Sequence, residues 1–503
     1  MSLRRLASET AVYGLSSILG RGIYFLLTPL YTDVFTPFEL GIQTDVFTVV
    51  SFLMILAVFR LDVAFFRLYR EADRPALLGT TQLTVTALAG TLALALLVGA
   101  GPLARAFGYP AYEGLFALGA GILLFDALTE VPLARLRMDQ RPWRFAFVRT
   151  AGILVNVGLN LLWLWLLPRW GSAPAWLSTP LAGISYIFLA NVASSAVVFA
   201  LAAPALRGMR WRIDGRLLRE MLAFAGPLVV VGFAYIVNEL LDRKLLPLVW
   251  PGGTEEGLTL SGVYAQNYKL AMLLALFTQA YRYGVEPFFF RERGTEGAET
   301  RYARLAHYYL LAALTGFVAV SLFQPTLSHV FLRTAAFREG ARVVPILLLA
   351  QVCLGLYYNV SVWYKVTDQT RFGAYISVGG AALTVALTLL LIPRYGYLGC
   401  AWTTLACYAA MLAAGLALGR SRYPVPYPAL RMLAFVALAV AVVGAFWWLS
   451  PKLQADAYPL IVDGGPAGVW VRSLALASGL LVVWALAVWR EVRRPQSSIA
   501  MRT

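Results

Sequence analysis

Histidine and cysteine are both scarce in this 503-residue chain, and each scarcity removes a class of chemistry. The two histidines, His307 and His329, are far apart in sequence, so no histidine-built metal or catalytic cluster is available. The three cysteines, Cys353, Cys400 and Cys407, fall within apolar runs without paired spacing, which reads as buried packing instead of a redox pair or a metal site. Extramembrane sequence is scarce too. The longest links, 324–342 and 450–468, hold about 20 residues each, too few for a folded catalytic domain. No G-x-x-x-x-G-K-[ST] phosphate loop occurs, so an ATPase of that type is excluded. Any work must draw on a bound ion, a membrane potential or a substrate gradient.

What the chain has in excess is apolar surface: 60% hydrophobic residues, mean hydropathy +0.69 and 14 tryptophans against 14% charged residues. That composition exceeds what a soluble core can absorb. About fourteen windows reach the roughly 20 apolar residues that a bilayer crossing takes. They lie near 9–31, 41–66, 77–100, 112–133, 145–167, 179–203, 219–245, 258–281, 302–323, 343–364, 372–392, 397–418, 429–449 and 469–489. Continuous runs such as 92–98 and 436–448 argue against the alternating ten-residue pattern of a β-barrel. The first window, interrupted by Arg21 and Pro29 and followed by no small-residue cleavage site, is expected to stay as a spanning helix and not be removed as a signal peptide.

An even number of spans puts both termini on one side. Placing Arg4 and Arg5 in the cytoplasm assigns roughly 28 of the 42 Lys and Arg residues to cytoplasmic links, the distribution of the positive-inside rule. The net charge of +16 therefore sets orientation. Dispersed arginines with no soluble domain to carry them do not make a nucleic-acid surface.

Two segments recur about 225 residues apart. Asp139-Gln140-Arg141-Pro142-Trp143-Arg144-Phe145 matches Asp368-Gln369-Thr370-Arg371-Phe372, and Leu166-Leu167-Pro168-Arg169-Trp170-Gly171 matches Leu391-Ile392-Pro393-Arg394-Tyr395-Gly396. Weaker echoes link Gly41-Ile42 to Gly262-Val263 and Phe65-Phe66-Arg67 to Phe289-Phe290-Arg291. The offset covers six windows, so both copies enter the membrane from the same side. The expected organisation is an all-α membrane protein of about fourteen helices. One six-helix lobe spans 1–208 and a second, pseudo-twofold-related one spans 209–423; residues 424–503 add two helices and a cytoplasmic tail. A central cavity between the lobes is the expected site.

A charge at mid-bilayer costs about 2.5 to 3.5 kcal/mol on insertion scales, so polar residues inside windows are the candidates for that cavity. Arg21, flanked by glycines, and Lys269, one of only four lysines, lie deepest. The others are Asp45, Arg60, Asp62, Asp126, Glu130, Arg149, Asn156, Asn160, Asn238, Glu239, Asp242, Arg243, Gln266, Arg282 and Glu286. Arg60, Asp62, Asp126, Glu130, Arg149, Arg282 and Glu286 sit close enough to a membrane face for snorkelling or structural ion pairing to be the default reading. Asp242, Glu239, Asp126 and Asp62 are candidate sites for coupling to H+ or Na+; Arg60, Arg149, Asn238, Gln266 and Arg282 join Arg21 and Lys269 as candidate substrate contacts. No metal site or resident cofactor is expected.

The run Asp242-Arg243, a Gly-rich link, Gly262-Val263-Tyr264 and Tyr268-Lys269-Leu270-Ala271 resembles the seventh and eighth helices of the polysaccharide transporter family. Ile392-Pro393-Arg394-Tyr395-Gly396 followed by Gly399-Cys400-Ala401 is similar to the repeated signature of that family. These are the O-antigen and exopolysaccharide flippases of the multidrug/oligosaccharidyl-lipid/polysaccharide exporter superfamily. The resemblance covers essentially the whole chain, although the link with Gly252, Gly253, Glu255 and Glu256 is longer than expected. It implies a non-enzyme that moves polyprenyl-diphosphate-linked glycans across the bacterial inner membrane by alternating access, with Arg21 and Lys269 as cations for the diphosphate. The implied partners are that glycan, membrane lipids and polysaccharide assembly proteins. Three alternatives stay open: a peptidoglycan-precursor flippase, a multidrug exporter of the same superfamily, and a membrane glycosyltransferase or polymerase.

Overall fold

The computed structural model describes residues 22–69, 71–169, 183–449 and 467–493. Arg21 lies outside the described residues, as do most of the link before the last helix and the C-terminal tail. Among the described residues every regular element is helical. The helices used below are α1 (Thr28–Val34), α2 (Pro37–Val58), α3 (Leu61–Leu68), α4 (Arg74–Val98), α5 (Gly114–Met138), α6 (Pro142–Arg169), α7 (Ser185–Ala202) and α8 (Gly215–Val249). They continue as α9 (Thr254–Arg291), α10 (Ala298–Leu322), α11 (Gln324–Phe331), α12 (Ala335–Val366), α13 (Arg371–Tyr395), α14 (Tyr397–Arg422), α15 (Ala429–Leu449) and α16 (Ala467–Val492).

Twelve spans among the described residues are long and apolar enough to cross a bilayer, which makes the chain a multi-pass membrane protein. Two expected windows are absent from that set for different reasons. The first lies partly outside the described residues. The eighth is α9, a 38-residue helix about 57 Å long at 1.5 Å per residue. Its interior Gln266, Asn267, Lys269, Arg282 and Glu286 depress its hydropathy below that of every neighbour.

Local chemistry sets the helix limits. Pro37 opens α2 behind a capping box in which the Glu39 amide donates to Thr36 Oγ1 at 3.3 Å and the Thr36 amide donates back to Glu39 Oε2 at 2.9 Å. Asp214 caps α8 by accepting from the amides of Arg216 and Leu217. The repeat found in sequence returns as a repeated turn. Gln140 and Asp368 both take left-handed backbone at φ 53° and 59°. The next amide in each case reaches back five residues, Arg141 to Leu136 at 3.0 Å and Gln369 to Tyr364 at 2.8 Å. That is the Schellman pattern of a helix C-terminus.

The chain packs as two compact units, residues 1–265 with 381–400 and residues 266–380 with 401–503. In the first, α2 and α9 cross at two glycines. A Cβ on Gly41 would lie 1.9 Å from the Leu258 carbonyl oxygen, and one on Gly262 would lie 1.9 Å from that of Pro37. Each glycine thus meets the residue four before the other. The second unit is built around α10, α12 and α14, with Trp363 donating to the Gly415 carbonyl at 3.1 Å. The final pair docks onto α10. Trp484 of α16 is fully buried and donates to Thr315 Oγ1 at 3.0 Å, the Phe435 ring of α15 meets it edge-on, and Glu491 lies 3.4 Å from His307.

At the start of α12, Arg338 is buried and donates to the carbonyls of Leu332 and Arg333 in the link from α10. The His329 imidazole of this link is pushed down to about 4, first by burial and then by the Arg338 charge.

Two expectations follow. Gly41→Ala and Gly262→Ala should each destabilise by about 1 to 3 kcal/mol through overpacking. Gly226→Ala in α8, where a Cβ meets nothing within 4 Å, should be neutral or slightly stabilising; thermal unfolding in detergent compares them. His329 contributes its stability in full above the unfolded value of 6.5 and loses it as pH falls towards 4, because the unfolded chain takes a proton that the fold resists. Melting temperature should therefore drop across that window in the parent and follow a flatter course in His329→Gln.

Candidate functional site

Polar groups inside the spans are gathered into clusters. In the first unit, Asp45 of α2 is 2% exposed and receives two donors on one oxygen, Lys244 Nζ of α8 at 2.7 Å and the Tyr109 hydroxyl at 2.6 Å. The Lys244 ammonium also lies 3.3 Å from the centre of the Phe107 ring. Both partners come from segments distant in sequence. The residue pattern marked Asp45 as a candidate but not Lys244 as its counter-ion.

A second cluster in that unit centres on Asp242, which is 4% exposed. The Tyr264 hydroxyl donates to its Oδ2 at 2.7 Å and the Arg243 amide to its Oδ1 at 2.8 Å. One turn earlier, Asn238 Oδ1 accepts from Thr384 Oγ1 of α13 at 3.0 Å. Ser261 bonds the Arg243 carbonyl, and the Cys400 thiol lies 3.8 Å from the Asp242 carbonyl. Glu239 adds its charge to the field at Asp242. Asp242 is thus a buried hub seven residues inside the end of α8 and not a pin at its terminus. Tyr264, fully buried, is its donor and has the Arg243 guanidinium 5.9 Å over its ring.

A third cluster joins four residues that sequence reasoning had set on three windows. Glu130 of α5 lies 3.7 Å from Arg149 of α6, their side chains 26% and 42% exposed. Asp126, one turn from Glu130, faces Ser195 and Arg149, and Asp62 of α3 adds its charge at Glu130. Arg60 approaches from the break between α2 and α3, where Phe59 and Arg60 are both left-handed at φ 49° and 54°. Its guanidinium lies against Gly232 of α8, where a Cβ would come within 3.1 Å of Nε and Nη2. Glycine there makes room for the arginine.

In the second unit, α9 carries Gln266, buried with its Oε1 unbonded among the described residues, and the half-buried, partnered Lys269. Tyr268 accepts from Gln351 at 3.2 Å. Further along, Arg282 Nη2 and Lys365 Nζ share a single carboxylate oxygen, Glu286 Oε1, at 3.3 and 3.1 Å. The Arg282 guanidinium also stacks 4.0 Å over Tyr358, and its Nε is buried without a partner among the described residues. Two cations on one carboxylate leave a net positive charge. Lys365 was missed in sequence because it falls just past the end of its window; its rarity among four lysines was the available signal. No group of three His, Cys, Asp or Glu side chains that could hold a metal ion occurs among the described residues.

No model of a known protein family matches the chain, and no curated protein sequence matches it. Solved structures do. The lipid II flippase MurJ in an inward closed conformation superposes with a TM-score of 0.70 at 12% identity, covering 95% of this chain and 99% of that one. An inward-facing multidrug resistance MATE family transporter of the MOP superfamily gives 0.62 at 15% identity over 80% and 94%. A MATE structure in the straight conformation gives 0.58 at 14% identity over 83% and 94%. This chain shares their fold. These neighbours are two-lobed proteins of twelve to fourteen helices.

The clusters differ in what their charges are worth. Lys244→Met strands a buried carboxylate and should cost about 3 to 5 kcal/mol, much of it recovered in Asp45→Asn/Lys244→Met. The partly exposed Glu130–Arg149 pair should show a coupling of no more than about 1 kcal/mol. Double-mutant cycles on detergent-solubilised protein would measure both.

Proposed function

We propose that the chain is a flippase that moves a polyprenyl-diphosphate-linked oligosaccharide, an O-antigen or exopolysaccharide repeat unit, across the bacterial inner membrane by alternating access. Both termini are cytoplasmic in this proposal, and transport is coupled to H+ or Na+. The observation that carries it is α9: a helix long enough to cross the membrane that keeps Gln266, Lys269 and Arg282 within its length, in a chain with a transporter fold. Such residues are costly in lipid and are retained at substrate or ion pathways. Guanidinium offers phosphate oxygens a planar fork of donors, and ammonium a mobile point charge.

In this proposal Arg21 and Lys269 hold the diphosphate, with Arg60, Arg149, Asn238, Gln266 and Arg282 along the path. Asp242, Glu239, Asp126 and Asp62 are the coupling candidates. The superposition supports a flippase over a multidrug exporter, since the flippase structure accounts for 95% of the chain and the MATE structures for 80% and 83%. The same coverage favours a second reading, a flippase for a peptidoglycan lipid precursor, which shares the diphosphate chemistry and differs in the glycan.

Proteoliposomes carrying fluorescent polyprenyl-diphosphate oligosaccharides test both, with a membrane-impermeant quencher reporting the outer leaflet. Each charge-assisted bond is worth about 1.5 to 3 kcal/mol, so Arg21→Ala and Lys269→Ala should each reduce flipping roughly ten- to hundredfold. Collapse of both ion gradients should slow the parent protein. Normal rates in the well-folded double variant would overturn a cationic substrate site. A preference for the peptidoglycan precursor over an O-antigen unit would select the second reading.

A further inference from the structure

Three contacts in the first unit fall at the same ends of the same elements. Gly41 of α2 and Gly262 of α9 cross reciprocally, each against the backbone of the other helix. One turn deeper, Asp45 of α2 holds Lys244 of α8 and the Tyr109 hydroxyl. Beside them, Gly108 of the link before α5, left-handed at φ 82°, lies against the side chain of Thr254 at the start of α9, its Cβ position 2.9 Å from Thr254 Cγ2. Backbone segments 37–45, 107–109 and 244–262 are therefore joined by two glycine contacts and one ion pair.

From this we infer that the Asp45–Lys244–Tyr109 cluster is a releasable latch that holds these ends of α2, α8 and α9 together, and that it opens during the working cycle. This rests on the alternating-access proposal, under which these ends face outward. The contact has the physical character that opening requires. Glycines at a crossing bring backbones together without interlocking side-chain ridges, so the helices can part with little repacking. A buried ion pair recovers hydration when water enters, so its loss on opening is offset in a way that an apolar contact's is not. The groups facing Asp45 are the Lys244 ammonium from α8 and the neutral Tyr109 hydroxyl from the link before α5. Release of this one carboxylate therefore frees α2 from both α8 and the 107–109 link, while Lys244 keeps the Phe107 ring over it.

The test reads distance and needs no substrate, so it separates failure of the latch from failure of the flippase proposal. Spin labels at Ala111→Cys and Glu255→Cys, both exposed, report the gap between the link before α5 and the start of α9 by pulsed electron resonance in nanodiscs. The three native cysteines are replaced by alanine for this purpose. The parent should give one dominant short distance. Asp45→Asn and Lys244→Met should add a longer population, and the charge swap Asp45→Lys/Lys244→Asp should restore the short one. Tyr109→Phe removes one donor while keeping the ring stacked on Phe116, so it should give an intermediate fraction even if the charge variants fold poorly. One unchanged short distance in Tyr109→Phe and in every folded charge variant would show a permanent structural contact and overturn the latch. A longer population in variants that still lack all flipping would keep the latch and count against the flippase.

Discussion

Lipid cannot hydrate a charge, and the arrangement of this protein follows from that constraint more than from any other. Asp45 has Lys244 and Tyr109, Asp242 has Tyr264 and a backbone amide, and Glu286 has both Arg282 and Lys365. Each carboxylate takes at least one partner from another helix. The polar clusters therefore fix helix neighbours as firmly as the apolar core does. Where the surroundings carry surplus positive charge, as at Glu286, the same constraint leaves a place suited to an anion.

The helical architecture was legible because a run of apolar residues long enough to span a membrane has few other folds open to it. Twelve of the fourteen expected windows recur as apolar spanning helices, and the eighth recurs as the longer and more polar α9. The duplication was legible at Asp139-Gln140 and Asp368-Gln369 because both mark the same left-handed turn, although the turns align one residue out of step with the matched letters.

What stayed hidden was partner choice and backbone direction. Lys244 is 199 positions from Asp45, and Tyr109 is 64, so no local pattern could join them. The break at Phe59 and Arg60 has neither glycine nor proline to announce it, and a single unbroken window was the natural reading. The Arg60 guanidinium that follows the break lies across the fold against Gly232, which leaves room for it. Asp62, Asp126 and Arg149 were each picked out as polar residues in apolar company. That they share one neighbourhood, with Glu130 among them, depends on the packing of α3, α5 and α6.

The crossing of α2 and α9 carries a consequence for the symmetry of the chain. Gly41 and Gly262 are counterparts in the two repeats, and each touches the residue four positions before the other. A contact in which i meets j and j meets i is isologous, the kind that a twofold homodimer makes through one self-complementary patch. Two copies of a single repeat pairing through this glycine would make the same crossing. The flanking residues break that symmetry: Asp45 and Lys244 form an ion pair that no symmetric dimer could present once only.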